Sequence, residues 1–459
     1  MIQPVNRLPP EILSQIARCV PDDSDEDAMS IIPSTHVCRY WRDSIISTPE
    51  NWSSISSRRR RLAVLSLERA KAAPLKLTIW HIGEDHWLPD LLVPCIQNIE
   101  VLSADRTRAI ELKKVFPDFP QSMSSLRSLT LGSDGDWDRS TDPFESFAPA
   151  LKCLSLNDIP FYPSLRKITT LTELSLDDPS FNLQIDSLLD FLEENHSLTR
   201  LTMAIEFIEP SLRISQRRAA IKNRLRYLGI ACCDAMDGQA LISKIPLSKG
   251  ATLHVSCRGA NVTVNDILSG ISTAHLSNLL SPTFMRYHTG EKFIELRGPN
   301  GTASFGIYVD PDIPFIEFSR LPLTSIREFH LDNRMWELIY PHPGPEVFHH
   351  LSSFLALETF TIKSDTDLSH VLSPFLSDPS ASPSLKTLGF WDCILTEEFM
   401  EELTRFASDR KNTASAWLHC VVIVHWEGKF PSIASIRKLQ QHVPVVDVRI
   451  ATELPTNLT

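Results

Sequence analysis

Ten times along this 459-residue chain, an apolar residue is followed by a second three positions on and by a third two positions after that. The clearest copies are Leu126/Leu129/Leu131, Leu151/Leu154/Leu156, Leu171/Leu174/Leu176, Leu198/Leu201/Met203 and Leu225/Leu228/Ile230. Weaker ones are Ile96/Ile99/Val101, Ile326/Phe329/Leu331, Leu357/Phe360/Ile362, Leu385/Leu388/Phe390 and Leu418/Val421/Ile423. Successive copies start 20–33 residues apart, with one break between Leu225 and Ile326. A period of that length marks stacked supersecondary units. Within each copy the last two apolar residues are two apart and leave a strand on the same side. The first turns the chain into that strand. Between strands lie stretches such as Ile185–Leu192, apolar at helical spacing. One strand and one helix per unit predicts an α/β solenoid that curves, with parallel strands inside and helices outside.

The pattern resembles leucine-rich repeats, in an irregular form. The Asn or Cys expected a few residues after each strand is inconsistent: Asn157 follows Leu156 directly, Cys232 sits two after Ile230, and Cys393 three after Phe390. Residues 95–459 are assigned to this repeat domain, with 231–325 its irregular part. There Ala251–Ser256 reads as a strand, and two alternating runs, Phe293–Arg297 and Ala303–Val309, flank Gly298-Pro299-Asn300-Gly301 as a β-hairpin insertion. Toward the end, Trp417–Trp426 reads as a buried strand. A helix at Ser432–Gln441 and a strand at Val445–Ile450 then cap the solenoid.

The first fifty residues carry a different pattern. Leu8, Ile12, Leu13 and Ile16 fall on one helix face, with Pro9 and Pro10 where a helix start tolerates them. Val37, Cys38, Trp41 and Ile45 repeat that spacing on a second helix, and Trp52 follows. Two short amphipathic helices bury too little surface to stand alone and need a partner. An acidic run from Asp22 to Asp27 separates them as an exposed loop. After Trp52, residues 53–94 read as a linker helix with a basic face (Arg58–Ala73) and a first strand at Leu75–Trp80.

The blocks Leu8-Pro9-Pro10-Glu11-Ile12-Leu13 and Val37-Cys38-Arg39-Tyr40-Trp41-Arg42, with the trailing Trp52, resemble an F-box, a small all-α module spanning residues 4–52. The resemblance implies a substrate receptor of a cullin-type ubiquitin ligase that docks on a Skp-family adaptor. By that resemblance Leu8, Pro9, Ile12, Leu13, Ile16, Val37, Cys38 and Trp41 bind the adaptor, with Trp41 as the central anchor. The concave strand face binds a protein substrate through the positions between the apolar ones: Ser128, Thr130, Ser155, Ser175, Thr202, Arg327 and His330. The alternative is a leucine-rich scaffold whose N-terminal helices only cap the first repeat.

Signs of other chemistry are weak. A net charge of −11 argues against a nucleic-acid partner, since phosphate binding needs a basic footprint. Arg58–Arg61 is the local exception, read as a solvated helix turn rather than an import signal. Glycine is scarce, 15 in all, and no phosphate loop or nucleophile elbow is present. Nine cysteines form no CxxC pair, which predicts reduced thiols in cytoplasm or nucleus and no structural metal. His81 and His86 are five apart, off the spacing that aims two imidazoles at one metal from a helix, and His349-His350 cannot share a helix face. Glu397, Glu398, Glu401 and Glu402 mark a solvated helix face over Thr396–Phe406. The reading is of a binding protein rather than an enzyme, with no cofactor and no membrane partner.

Overall fold

Each repeated triplet becomes a strand because its apolar side chains can be buried together on one side of a parallel sheet. In the computed structural model, the residues described are 8–18, 31–80, 87–106, 112, 116, 122–133, 137, 142, 144, 149–178, 185–205, 225–232, 241–245, 247–248, 251–257, 282–288, 293–298, 304–309, 323–333, 354–364, 372, 376, 378, 380, 382–412, 417–425 and 431–450. The acidic run, His81, His86 and His349-His350 lie outside them. The chain divides into two compact units, Met1–Leu225 and Arg226–Thr459, both mixed α/β.

The first unit opens with three helices: α1 (Pro10–Arg18), α2 (Ile31–Thr35) and α3 (Arg39–Ser47). Pro9 and Pro10 stand where a helix has no amide bonds to lose, and the Pro9 carbonyl accepts from the Ile12 and Leu13 amides, both at 3.1 Å. A 3₁₀ turn at Pro49–Trp52 leads straight into β1 (Ser54–Ser56). The helix α4 (Arg60–Ala70) follows, then β2 (Leu75–Ile79), which pairs with β1. The sheet therefore begins one strand earlier than the sequence indicates, with β1 ahead of the expected helix and of the expected strand at Leu75. Trp52, 1% exposed, locks the junction: its indole donates to the Ile45 carbonyl at 3.1 Å, and the Arg69 guanidinium lies 4.2 Å from its ring centre.

Five further strands continue in chain order: β3 (Ile99–Ala104), β4 (Ser128–Gly132), β5 (Cys153–Asn157), β6 (Glu173–Asp178) and β7 (Arg200–Ile205), each parallel to the last. Leu129/Leu131, Leu154/Leu156, Leu174/Leu176 and Leu201/Met203 all face the core, 5% exposed or less. Each such burial contributes about 2 kcal/mol. The helix Ile185–Glu194 covers part of this core with Leu188, Leu189, Phe191 and Leu192. The earliest copy is read one step out of register. Leu102 and Ala104 are buried, whereas Ile96 and Val101 are half-exposed, and the β2–β3 pairing shifts between Leu75 and Lys76. Adjacent apolar Val101 and Leu102 offer both faces to the core, and the shift lets Leu102 take it.

The second unit carries β8 (Tyr227–Cys232), β9 (Thr252–Cys257), β10 (Phe284–His288), β11 (Phe293–Arg297), β12 (Ser304–Val309), β13 (Glu328–Asn333), β14 (Thr359–Ser364), β15 (Thr387–Trp391), β16 (Cys420–His425) and β17 (Val445–Ile450). The antiparallel pair about Gly298–Gly301 is present as β11 and β12, joined by β10, whose strand character the sequence reading missed. The three lie within the sheet rather than projecting from it. β12 pairs parallel with β9, and β10 pairs parallel with β13. Only β11 runs against its neighbours among the described strands. From β13 to β17 the order is again sequential and parallel.

Aromatic packing dominates this second core. Phe329 stacks at 5.3 Å on both Phe354 and Phe360, and Phe390 meets Phe399 edge-on at 5.4 Å. Phe399 belongs to the helix Glu397–Asn412, which runs longer than its sequence pattern implied. The helix Ile433–Gln440 is capped by Ser432, whose hydroxyl accepts from the Ser435 amide at 3.1 Å. Arg410, fully buried, donates to the carbonyls of Ser382 and Leu385, both at 3.2 Å, and its pKa falls to about 10 because burial disfavours the charge. It stays protonated and fixes the turn that launches β15. Arg410→Ala should lower unfolding stability by about 3 kcal/mol by emptying that space and stranding two carbonyls. Arg410→Met should lose clearly less, because it refills the volume; denaturant titration compares the two.

Candidate functional site

The N-terminal helices present the first candidate surface. Ile12 (39% exposed), Ile16 (40%), Val37 (56%), Tyr40 and Ile46 turn apolar groups to solvent. Pro9 is also exposed, and Leu8 and Cys38 are half-buried. The Tyr40 hydroxyl donates to the Leu8 carbonyl at 2.8 Å, holding the start of α1 against α3. Asn51 donates to the Ser14 hydroxyl and the Ile45 carbonyl from inside the module.

Two residues expected on this surface are elsewhere. Leu13 is fully buried and Trp41 only 8% exposed. On a nine-residue helix an apolar face is wide enough to serve two sides. The inward positions go to the residues that pin α1 and α3 together, and the outward ones remain. Trp41 is thus a packing key of the module and not the anchor of its outer face. Its indole N–H has no hydrogen-bond partner among the described residues. Trp41→Phe should therefore cost less than about 1 kcal/mol, since it discards an unpaired buried donor, while Trp41→Ala should cost about 3 kcal/mol. Thermal unfolding of both variants tests the assignment.

The second surface is the face of the first sheet opposite its leucines. Register places Ser56 beside Thr78, Thr78 beside Ser103, Ser103 beside Thr130, Thr130 beside Ser155, Ser155 beside Ser175 and Ser175 beside Thr202. Each of the strands β1 to β7 thus gives one hydroxyl to a single row. Between β4 and β7 this face sinks into a depression of about 100 Å³. Five of the expected substrate residues, Ser128, Thr130, Ser155, Ser175 and Thr202, line it together.

Cys153, Glu173 and Arg200 line it too, and the sequence reading passed over them. Their signal was present: each stands two residues before a row hydroxyl and so shares its face. The Cys153 thiol has its pKa raised by burial first and then by Glu173, so it stays protonated at neutral pH. Two residues beyond the hydroxyls the face carries Asp105, Gly132, Asn157 and Asp177. A Cβ on Gly132 would lie 2.6 Å from an Asp105 carboxylate oxygen, so the glycine leaves room for that carboxylate.

Arg327 and His330 fall in the second unit. Arg327 is exposed at the start of β13. His330 stands in register with Arg286 and Thr361, its ring 5.0 Å from that of Phe284. Burial, then Arg286 and Arg297, lower its pKa to about 4; Glu295 opposes them. The ring is neutral at pH 7, so its 3.9 Å approach to Glu328 is not an ion pair there. Among the described residues no three His, Cys, Asp or Glu side chains gather as metal ligands, and no helix is long and apolar enough to cross a membrane.

No protein-family model and no curated protein matches this chain. Its function is read from these surfaces alone.

A folded-state pKa below the ordinary 6.5 means that the unfolded chain binds the extra proton first. His330 therefore favours folding above pH 6.5, and that contribution is lost as pH falls from 6.5 toward 4. In His330→Phe, which keeps the ring against Phe284, the difference from the unsubstituted chain should change by at most about 3 kcal/mol across that window. Denaturant melts at pH 7, 5.5 and 4 measure it.

Proposed function

We propose that the chain is the substrate-recognition subunit of a Skp–cullin–F-box type ubiquitin ligase. In this reading residues 4–52 are the F-box and the strand-bearing remainder is an irregular leucine-rich-repeat solenoid. The observation that carries it is the apolar surface of Ile12, Ile16, Val37, Tyr40 and Ile46 on two short helices whose other sides are packed away. Such a patch on a water-exposed module marks a protein-binding site. Pro9, Leu8 and Cys38 border it and complete the adaptor contact. Leu13 and Trp41 support it from beneath.

Direct passage of the helical module into β1 supports the same reading. A rigid joint between adaptor and substrate surfaces holds a bound substrate at a fixed distance from the ubiquitin-loaded enzyme. The hydroxyl-lined face of the first unit is the proposed substrate surface. The chain would perform no covalent chemistry itself.

The capping-scaffold reading draws on one observation, the burial of Trp52 at the junction with β1, under the Arg69 guanidinium. Mixing the purified chain with a Skp-family adaptor separates the two. The receptor reading expects a stable complex that Ile12→Glu/Ile16→Glu/Val37→Glu weakens more than about 100-fold, because charges replace buried anchors. Circular dichroism should be unchanged, since all three side chains are exposed. Failure to form any complex would leave the scaffold.

A further inference from the structure

The face of the first sheet has a charge bias that its row of hydroxyls does not explain. The carboxylates of this face among the described residues are Asp105, just past the end of β3, and Glu173 and Asp177 on β6; its cations are Arg200 on β7 and Lys76 on β2, four strands from β6. Glu173 and Asp177 are both exposed and stand four apart on β6 with Ser175 between them. Four residues of strand span about 13 Å. A second extended chain laid along β6 has the same repeat, so side chains four apart on it fall opposite these two carboxylates.

The rest of the face suits a close-lying backbone. Ser155, Ser175 and Thr202 are short and sit level with one another, Gly132 adds no side chain, and each hydroxyl can donate or accept. The depression beside Glu173 is large enough for one long side chain. Cys153, kept protonated, adds no negative charge and no competing nucleophile there.

We infer that this face takes an extended, basic polypeptide segment, with two Lys or Arg side chains four residues apart seated at Glu173 and Asp177 over the Ser/Thr row. The inference rests on the reading of this face as the substrate surface and specifies the substrate's chemistry. Arg200, in register with Glu173 on the next strand, acts as a selector: its charge disfavours a lone cation at Glu173, which an incoming segment overcomes only by also gaining Asp177.

The test uses the full chain and labelled peptides of Ser, Thr and Gly carrying two Lys four apart, with matched Glu and Gln sets, read by fluorescence anisotropy. The Lys set should bind about tenfold tighter than the Glu set and weaken as salt is raised. Glu173→Gln with Asp177→Asn should reduce Lys-peptide affinity about fivefold, the scale of two exposed ion pairs. Arg200→Gln should increase it, and Glu401→Gln, on a helix of the second unit, should leave it unchanged. Equal or tighter binding of the Glu or Gln set, no binding of any set, or indifference to the double substitution would overturn the inference. Adaptor binding by the same preparation keeps the two proposals apart. A complex with adaptor but no Lys-peptide binding removes only the substrate class; peptide binding without adaptor removes only the ligase role.

Discussion

Everything in the first unit hangs on the alternation of side chains along parallel strands. Once Leu129 and Leu131 enter the core, Ser128 and Thr130 must leave it, and hydrogen bonding to β5 imposes the same choice on Leu154 and Ser155. The constraint passes from strand to strand through the backbone, so a single register sets the leucine core and the hydroxyl row together. Neither can shift alone. A one-residue slip would turn the row inward and expose every leucine.

This explains which parts were legible in the sequence. The strands were, because a buried triplet needs apolar residues at fixed offsets and little else satisfies it. The outward residues Ser128, Thr130, Ser155, Ser175 and Thr202 were legible for the same reason, as the remainder of that pattern. β10 escaped because its run is short and Phe284 puts an apolar residue on the face that otherwise carries Arg286 and His288. The missed Glu173, Arg200 and Cys153 open their strands, where no apolar flank on both sides points to them. Leu13 and Trp41 show the opposite failure. Helical spacing reveals that a face is apolar, but on two packed helices it does not reveal which apolar residue is spent inside.

The two units use their outward faces differently. In the first, small hydroxyls keep the surface open. In the second, His330, Arg286, Glu295 and Asp332 crowd the same side of the sheet, and the last three are each at most 9% exposed. Buried charge of this kind holds a specific arrangement at an electrostatic cost, with Arg286 4.0 Å from Asp332 and Arg297 2.7 Å from Glu295. The open face is the better binding platform and the crowded one the stiffer wall.

The single reversed strand also changes how the second unit can acquire its structure. Parallel neighbours such as β13 and β14 are joined by long crossovers, so their pairing must wait for a large loop to close. β10, β11 and β12 follow one another within residues 284–309 and pair locally. Loop closure costs them far less chain entropy, and local pairs form faster. The meander is therefore the natural nucleus of the second sheet. Because its outer strands, β10 and β12, run with the rest, it offers a correctly oriented template at both edges: β9 can zip onto one side and β13 onto the other.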